Sequence, residues 1–253
     1  MRIIIITQDE PFYLKNNLKY LLSLFSDKIS VVGCVVNDVS PFGKPESFLK
    51  KAIKTLKIFG LRFFIYYSIK YVKSKIFNTS LKSFLISKKI KIISLNSSIN
   101  SKESLDKISS YKPDLLVSIL GNQIFKTDLI NLAPKGCINL HTALLPKYRG
   151  LMPTFWVLKN NEKYTGVSVF FVDKGIDSGP IIVQKKIEIG NLTQQQLIIK
   201  TKKIGMEAVA QAVEEILCDS ITLIPNPDSE KTYFSFPTRN DVKEFRKQNK
   251  SFF

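Results

Sequence analysis

"GCINLHTALLPKYRG" (residues 136–150) is an apolar run that ends in polar chemistry. It carries Asn139 and then His141, the only histidine among 253 residues. A short apolar run bounded by glycine and by a proline-bearing turn reads as a buried strand, here 136–141. Side chains alternate along a strand, so Asn139 and His141, two apart, share one face. Both stand at the strand's carboxyl end, where open α/β sheets bind ligands. A lone histidine is commonly a satisfied core residue, so its neighbours have to decide between structure and chemistry.

Outward from this strand the chain alternates. "RIIIIT" (2–7) and "ISVVGCVVN" (29–37) read as buried strands around an amphipathic helix over 11–25, and "KIKIISL" (89–95) and "DLLVSIL" (114–120) as further strands around a short helix near 102–110. Continuous apolar runs separated by helices predict α/β: a Rossmann-like, mostly parallel sheet with helices on both faces. "YTGVSVFFVD" (164–173) and "GPIIVQKKIEI" (179–189) read as a hairpin of alternating strands joined by "KGIDS". Residues 192–217 read as an amphipathic helix with Thr193 as its N-cap. A helical insertion of two or three helices is expected over about 40–88, since a structureless loop of that length is uncommon. The simplest division is a catalytic domain, 1–217, with a short C-terminal extension, 218–253.

The formal net charge is +17. Between Lys44 and Lys89 twelve Lys and Arg face one acid, Glu46, and no Asp or Glu occurs from 47 to 102. Such a field attracts anions: a nucleotide, a phosphorylated substrate, RNA or an anionic membrane surface. A general lysine enrichment of the source proteome is the alternative. The aromatics Phe59, Phe63, Phe64, Tyr66, Tyr67 and Tyr71 fit core packing, and a basic aromatic helix also suits a membrane surface. No stretch has the roughly 20 apolar residues of a membrane span, and the short apolar start is no signal-peptide core, so a cytoplasmic location is expected. Cys34, Cys137 and Cys218 are far apart and in no ligand spacing, and one histidine does not build a zinc site, so no metal is expected. "TQDEPFYL" stands after the first strand in place of a glycine-rich fingerprint, which disfavours nicotinamide and flavin cofactors.

A histidine used for proton transfer needs an acid to orient it. The best-placed one is Asp177 in "DKGIDSG" (173–179), where glycines let backbone approach a ligand closely. "INLHTALLPKYRG", followed by "TGVSVFFVDKGIDSGPIIVQ", resembles the formyltransferases that use 10-formyltetrahydrofolate. That family includes methionyl-tRNA formyltransferases, glycinamide ribonucleotide transformylases and sugar N-formyltransferases. The resemblance runs over 111–190 and implies the formyltransferase fold, a catalytic set of Asn139, His141 and Asp177, and no metal.

The folate contacts follow from the same resemblance, and the substrate contacts from position along the chain. Folate is expected against largely backbone surfaces at Ile119, Leu120, Gly121, Asn122 and Ile124, and at Asp173, Gly175 and Ile176. Lys147, Tyr148 and Arg149, beside the catalytic strand, are expected to meet the substrate, with the two cations on a diphosphate. Ala143 is a departure, because many relatives carry serine there, and its loss puts a phosphoribosyl substrate in doubt. The expected acceptor is the amine of a nucleotide-linked amino sugar of surface polysaccharide, the short extension resembling that of free-standing sugar enzymes. Initiator tRNA and glycinamide ribonucleotide remain open, as do a hydrolase using the same three residues and a vestigial module docking RNA or membrane. A homodimer is possible on this reading. Nucleic acid is the less expected partner, although the charge leaves it open.

Overall fold

The structure, a computed structural model, describes residues 1–39, 47–77, 80–121 and 123–253. Parts of the insertion (40–46 and 78–79) and Asn122 therefore lie outside the described residues. Seven strands form the main sheet: β1 (Arg2–Gln8), β2 (Ser30–Asn37), β3 (Lys91–Ile93), β4 (Leu115–Ile119), β5 (Cys137–His141), β7 (Tyr164–Phe171) and β8 (Ile181–Glu188). Their order is β3-β2-β1-β4-β5-β7-β8. The first five are mutually parallel, and β7 and β8 complete the sheet in antiparallel fashion. A mostly parallel α/β sheet is thus what the apolar runs foretold.

The run Ile3–Ile6 is apolar at every position because β1 is covered on both sides. Ile3 and Ile5 pack with Leu14, Leu18 and Leu21 of α1 (Leu14–Leu24) and with Met206, Val209 and Val213 of α8 (Gln194–Leu217). Ile4 and Ile6 enter a second cluster with Ile108 of α5 (Lys102–Ser109) and with Phe125 and Leu129. The period of two thus divides one strand between two cores. α8 starts where expected: the Thr193 side chain accepts from Gln196 N, and Gln196 reaches back to Thr193 N, a capping box.

Two readings need correction. β7 is buried at six consecutive positions, because it lies between β5 and β8 and is covered on both faces, so it is not a half-exposed alternating strand. α1 starts at Leu14, three residues later than expected, since Glu10 spends its carboxylate on the amides of Phe12, Tyr13 and Leu14 at 2.8–3.0 Å.

The insertion forms α2 (Phe48–Phe59), α3 (Leu61–Phe77) and α4 (Leu81–Ser87). α4 buries Leu81 and Leu85 in the core around α1. Phe59 and Phe63 join a third cluster with Phe155 and Trp156 of α7 (Pro153–Lys159) and with Val242, Phe245 and Phe252. Val242 and Phe245 belong to α9 (Arg239–Lys247), so insertion and C-terminal residues share one aromatic core. Its rings are close, with centroids 4.4 Å apart for Phe59–Phe63 and 4.6 Å for Phe245–Phe252. A two-residue pair, β6 (Arg149–Gly150) with β9 (Tyr233–Phe234), fastens the extension to the segment after β5. Among the described residues no helix is long and apolar enough to cross a membrane.

Candidate active site

Strand order reverses beside β1: β2 and β3 lie to one side, β4 and β5 to the other. The crevice outside the carboxyl ends at such a point is the expected ligand site of an open α/β sheet. A cleft of about 330 Å³ lies there, lined by Gln8 at the end of β1, Ser118 of β4 and Asn139 of β5. β5 is held between β4 (Ser118 opposite Asn139) and β7 (Ser168 opposite His141), which fixes the strand carrying both candidate residues.

His141, two residues on from Asn139 along β5, is only 6% exposed. Its Nε2 lies 2.7 Å from the carbonyl oxygen of Tyr148. A carbonyl only accepts, so Nε2 carries the hydrogen and donates it. Nδ1 is left as the nitrogen that can take up or release a proton, and it lies 3.5 Å from Asp177 Oδ2. Asp177 Oδ2 also accepts from Gly150 N at 2.8 Å. The three residues grouped by the resemblance are thus brought together at one end of the sheet, with Asn139 and Asp177 lining the cleft.

Two glycines make this approach possible. A Cβ on Gly179 would lie 1.8 Å from Phe171 O, so the aspartate loop can fold against β7 only with glycine there. Gly150 adopts φ +95°, and a Cβ on it would meet Phe234 O at 2.3 Å. Asp177 itself sits in the left-handed region at φ +50°, a conformation that its surroundings must enforce. Part of that enforcement comes from Asn226, whose Nδ2 donates to Asp177 O at 2.9 Å and Gly179 O at 2.8 Å.

The turn after β5 is pinned from below. Ser168 Oγ donates to Ala143 O at 2.7 Å and accepts from Leu145 N, and Gln184 Nε2 donates to Leu145 O. The Leu145–Pro146 bond is cis. Ala143 is wholly buried, so a hydroxyl at this position would sit inside the packing and not in the cleft.

Arg149, expected on a substrate diphosphate, and Tyr148, expected as a substrate contact, both spend their polar groups on other parts of the protein. Arg149 is buried, pairs with Asp228 Oδ1 at 2.7 Å and donates to Asn226 O and Oδ1. Tyr148 donates its hydroxyl to Glu162 Oε1 at 2.6 Å and its amide to Thr232 Oγ1, and burial pushes its phenol up to about 12. Their task is internal: they hold the turn whose carbonyl fixes His141. Lys147 alone of the three is exposed.

The expected folate surfaces divide as well. Gly121, Ile124, Asp173, Gly175 and Ile176 line the cleft. Ile119 is a core side chain, Leu120 packs against the same core, and Asn122 lies outside the described residues. Asp173 Oδ1 accepts from Gly175 N at 3.0 Å and from Ser178 Oγ, so it shapes its own loop. Phe170, Met152 and Phe236 were not anticipated in the lining, and their apolar surface suits a flat aromatic ligand. Among the described residues no group of three or more His, Cys, Asp or Glu is placed to hold a metal.

The cleft adjoins a larger groove of about 1480 Å³, with Val39, Gln123 and Ile124 on the boundary of both. Lys51, Lys75, Lys82 and Lys126 line it, with Phe12, Tyr67 and Tyr71 among its aromatic walls. Burial pushes the Tyr67 phenol up to about 12.

The family model described as formyl transferase matches residues 72–213, more than half of the chain. The chain belongs to that family. It is 35% identical over 146 residues to methionyl-tRNA formyltransferase of Kosmotoga olearia, covering 57% of this chain and 47% of that protein. Against the enzyme of that name from Acetivibrio thermocellus it is 33% identical over 153 residues, covering 60% and 49%. The chain spans about half the length of these curated relatives. Among solved structures it is similar to an N-formyltransferase of Helicobacter canadensis in complex with folinic acid and dTDP-3-aminofucose, at 20% identity and TM-score 0.58, with 94% and 71% of the chains covered. It is also similar to phosphoribosylglycinamide formyltransferase of Anaplasma phagocytophilum, at 15% identity and TM-score 0.65, with 94% and 99% covered. Likeness at these identities is one of fold.

Proposed function

We propose that the protein transfers a formyl group from 10-formyltetrahydrofolate to the primary amine of a nucleotide-linked amino sugar. The observation that carries this reading is the junction of two spaces: a small cleft bordered by Asn139 and Asp177 opens beside a long groove lined by lysines and aromatic rings. A largely apolar cleft lined by Gly121, Ile124, Gly175 and Ile176 suits a pterin, and the bound folate supplies the formyl group. In the groove, Lys51, Lys82 and Lys126 supply charge for a diphosphate, and Phe12, Tyr67 and Tyr71 supply faces for a base.

The mechanism follows from the hydrogen-bonding inventory. Asn139 donates its amide hydrogen to the formyl oxygen as negative charge gathers there, a contribution of about 3–4 kcal/mol in comparable oxyanion sites. His141 cannot turn Nε2 to that oxygen without releasing Tyr148 O, so its Nδ1 takes up the proton of the amine as the amine bonds to the formyl carbon, and passes it to the leaving folate nitrogen as the bond from that nitrogen to the formyl carbon breaks. Asp177 stands against Nδ1 and stabilises the imidazolium while the proton is held. On this reading residues 1–217 are the catalytic unit, and 218–253 brace it through Asn226, Asp228 and Thr232.

A second reading has support of its own, because the curated relatives described above are methionyl-tRNA formyltransferases and the charge of +17 suits a polyphosphate partner. A phosphoribosyl amine is less favoured, since Glu10 occupies the amides of Phe12, Tyr13 and Leu14 at the entry to α1, where its negative charge disfavours a phosphate. The test is an incubation with 10-formyltetrahydrofolate and a panel of nucleotide-linked 3-amino and 4-amino sugars. Initiator methionyl-tRNA and glycinamide ribonucleotide run alongside, and products are read by mass spectrometry. A formylated sugar that disappears with His141→Asn supports the first reading. Formylation of the tRNA alone overturns it in favour of the second.

A further inference from the structure

The insertion carries a surface that formyl transfer leaves without a task. On α3 the residues Leu61, Ile65, Ile69, Val72 and Ile76 are all between 48% and 68% exposed. At 3.6 residues per turn they fall within an arc of about 80°, so they make one straight aliphatic stripe along the helix. The opposite side of α3 anchors it to the body. There Phe63 is buried, Tyr66 donates to Gln195 Oε1 at 2.7 Å and stacks on Phe253 at 3.9 Å, and Lys70 sits over the Tyr13 ring at 4.2 Å. The stripe therefore points outward because its other face is fixed. α2 repeats the pattern, with exposed Leu49, Ile53 and Leu56 at helical spacing.

The charges around the stripe say what covers it. Arg62 and Lys73 border it on one side and Lys75 on the other, while Lys50 and Lys57 border the apolar face of α2. No Asp or Glu occurs from 47 to 102. A second copy of the same face would bring like charges together. RNA would meet the cations but leave a row of Leu, Ile and Val without bases to stack on. An anionic lipid surface satisfies both parts, because acyl boundaries receive the aliphatic stripe and headgroups receive the lysines.

We propose that α2 and α3 form a docking face that lies on the surface of an anionic bilayer without crossing it. This goes beyond formyl transfer and does not depend on it. Val72 also lines the long groove, so docking sets the groove's mouth close to the membrane surface.

The test uses the full chain in sedimentation with vesicles of phosphatidylcholine alone and of phosphatidylcholine with about one third phosphatidylglycerol. Binding is expected only to the anionic vesicles, weakening as salt rises. The double variant Ile65→Gln, Ile69→Gln changes only exposed positions and is expected to weaken binding at least about tenfold. Lys57→Gln with Lys73→Gln is expected to weaken it roughly fivefold per charge removed. The circular dichroism and melting temperature of each variant report that the fold is kept. Equal binding to neutral vesicles, no vesicle binding, or binding that the isoleucine variant leaves intact would overturn the proposal. So would a concentration-dependent dimer, or RNA binding, that accounts for the face in place of lipid.

Discussion

Nε2 of His141 is committed to the Tyr148 carbonyl, and that single hydrogen bond assigns the roles around it. On the proposed mechanism, with Nδ1 as the exchangeable nitrogen, Asp177 is the group that stabilises its charged form, and Asn139 is left to meet the formyl oxygen. Asn139→Ala is therefore expected to lower kcat about 10²–10³-fold while folate affinity changes little, the signature of a contact made in the transition state. Steady-state kinetics with fluorimetric folate binding separate the two quantities, and a loss confined to folate affinity would refute the assignment. The thiols make a second prediction at this scale. Burial pushes the Cys34 thiol up to about 12 and the Cys137 thiol higher still, whereas Cys218 is exposed. Iodoacetamide at pH 8 is thus expected to label one cysteine in the native protein and three after unfolding, counted by mass.

At the scale of elements, the most readable parts were those whose environment is uniform along their length. β1, β4 and β5 announce themselves because they are covered on both faces, and α8 because Thr193 and Gln196 close its first turn. Thr193→Ala is expected to lower stability by about 1 kcal/mol, measured by urea denaturation. Less readable were elements defined by a distant neighbour. β6 and β9 are two residues each and exist through a pairing across more than eighty positions, which leaves no periodicity. From the sequence Arg149 is expected on a substrate diphosphate for the same reason: its partners Asn226 and Asp228 lie far along the chain. Asn139, His141 and Asp177 were legible through the local pattern of their motifs, but the groove lysines were not, since Lys51, Lys82 and Lys126 converge only in the fold. The aspartate loop is where local sequence and tertiary demand coincide. Gly179→Ala forces a Cβ towards Phe171 O, so the loop must leave β7 and carry Asp177 away from His141. Activity is expected to fall about as far as in Asp177→Ala, with only a modest change in melting temperature, because the loop lies at the surface.

For the whole molecule, the C-terminal residues link the aromatic core under the insertion to the site. Phe245 is fully buried against Phe155 and Phe252, and Phe245→Ala is expected to cost about 3–5 kcal/mol in urea unfolding. At the other end of the same segment, Asp228 holds the buried Arg149 guanidinium, and Arg149 in turn holds Asn226 beside Asp177. Hydrogen bonding from Lys231, and then from Arg149, holds the Asp228 carboxyl below the usual range. A depressed carboxylate stabilises the fold above its unfolded value, about 4, and that stabilisation is lost as pH falls through the lower folded value. Asp228→Asn is accordingly expected to melt below the wild type at pH 7, and the gap is expected to close as pH falls below about 4 and on through the lower folded value, beneath which the wild-type carboxylate is also neutral. Melting curves across that range measure it directly. A gap that stays constant with pH would mean that Asp228 acts through its shape alone. A gap that closes on acidification, with kcat at neutral pH lowered by the same substitution, would trace a line from an exposed carboxylate through Arg149 and Asn226 to the aspartate facing His141.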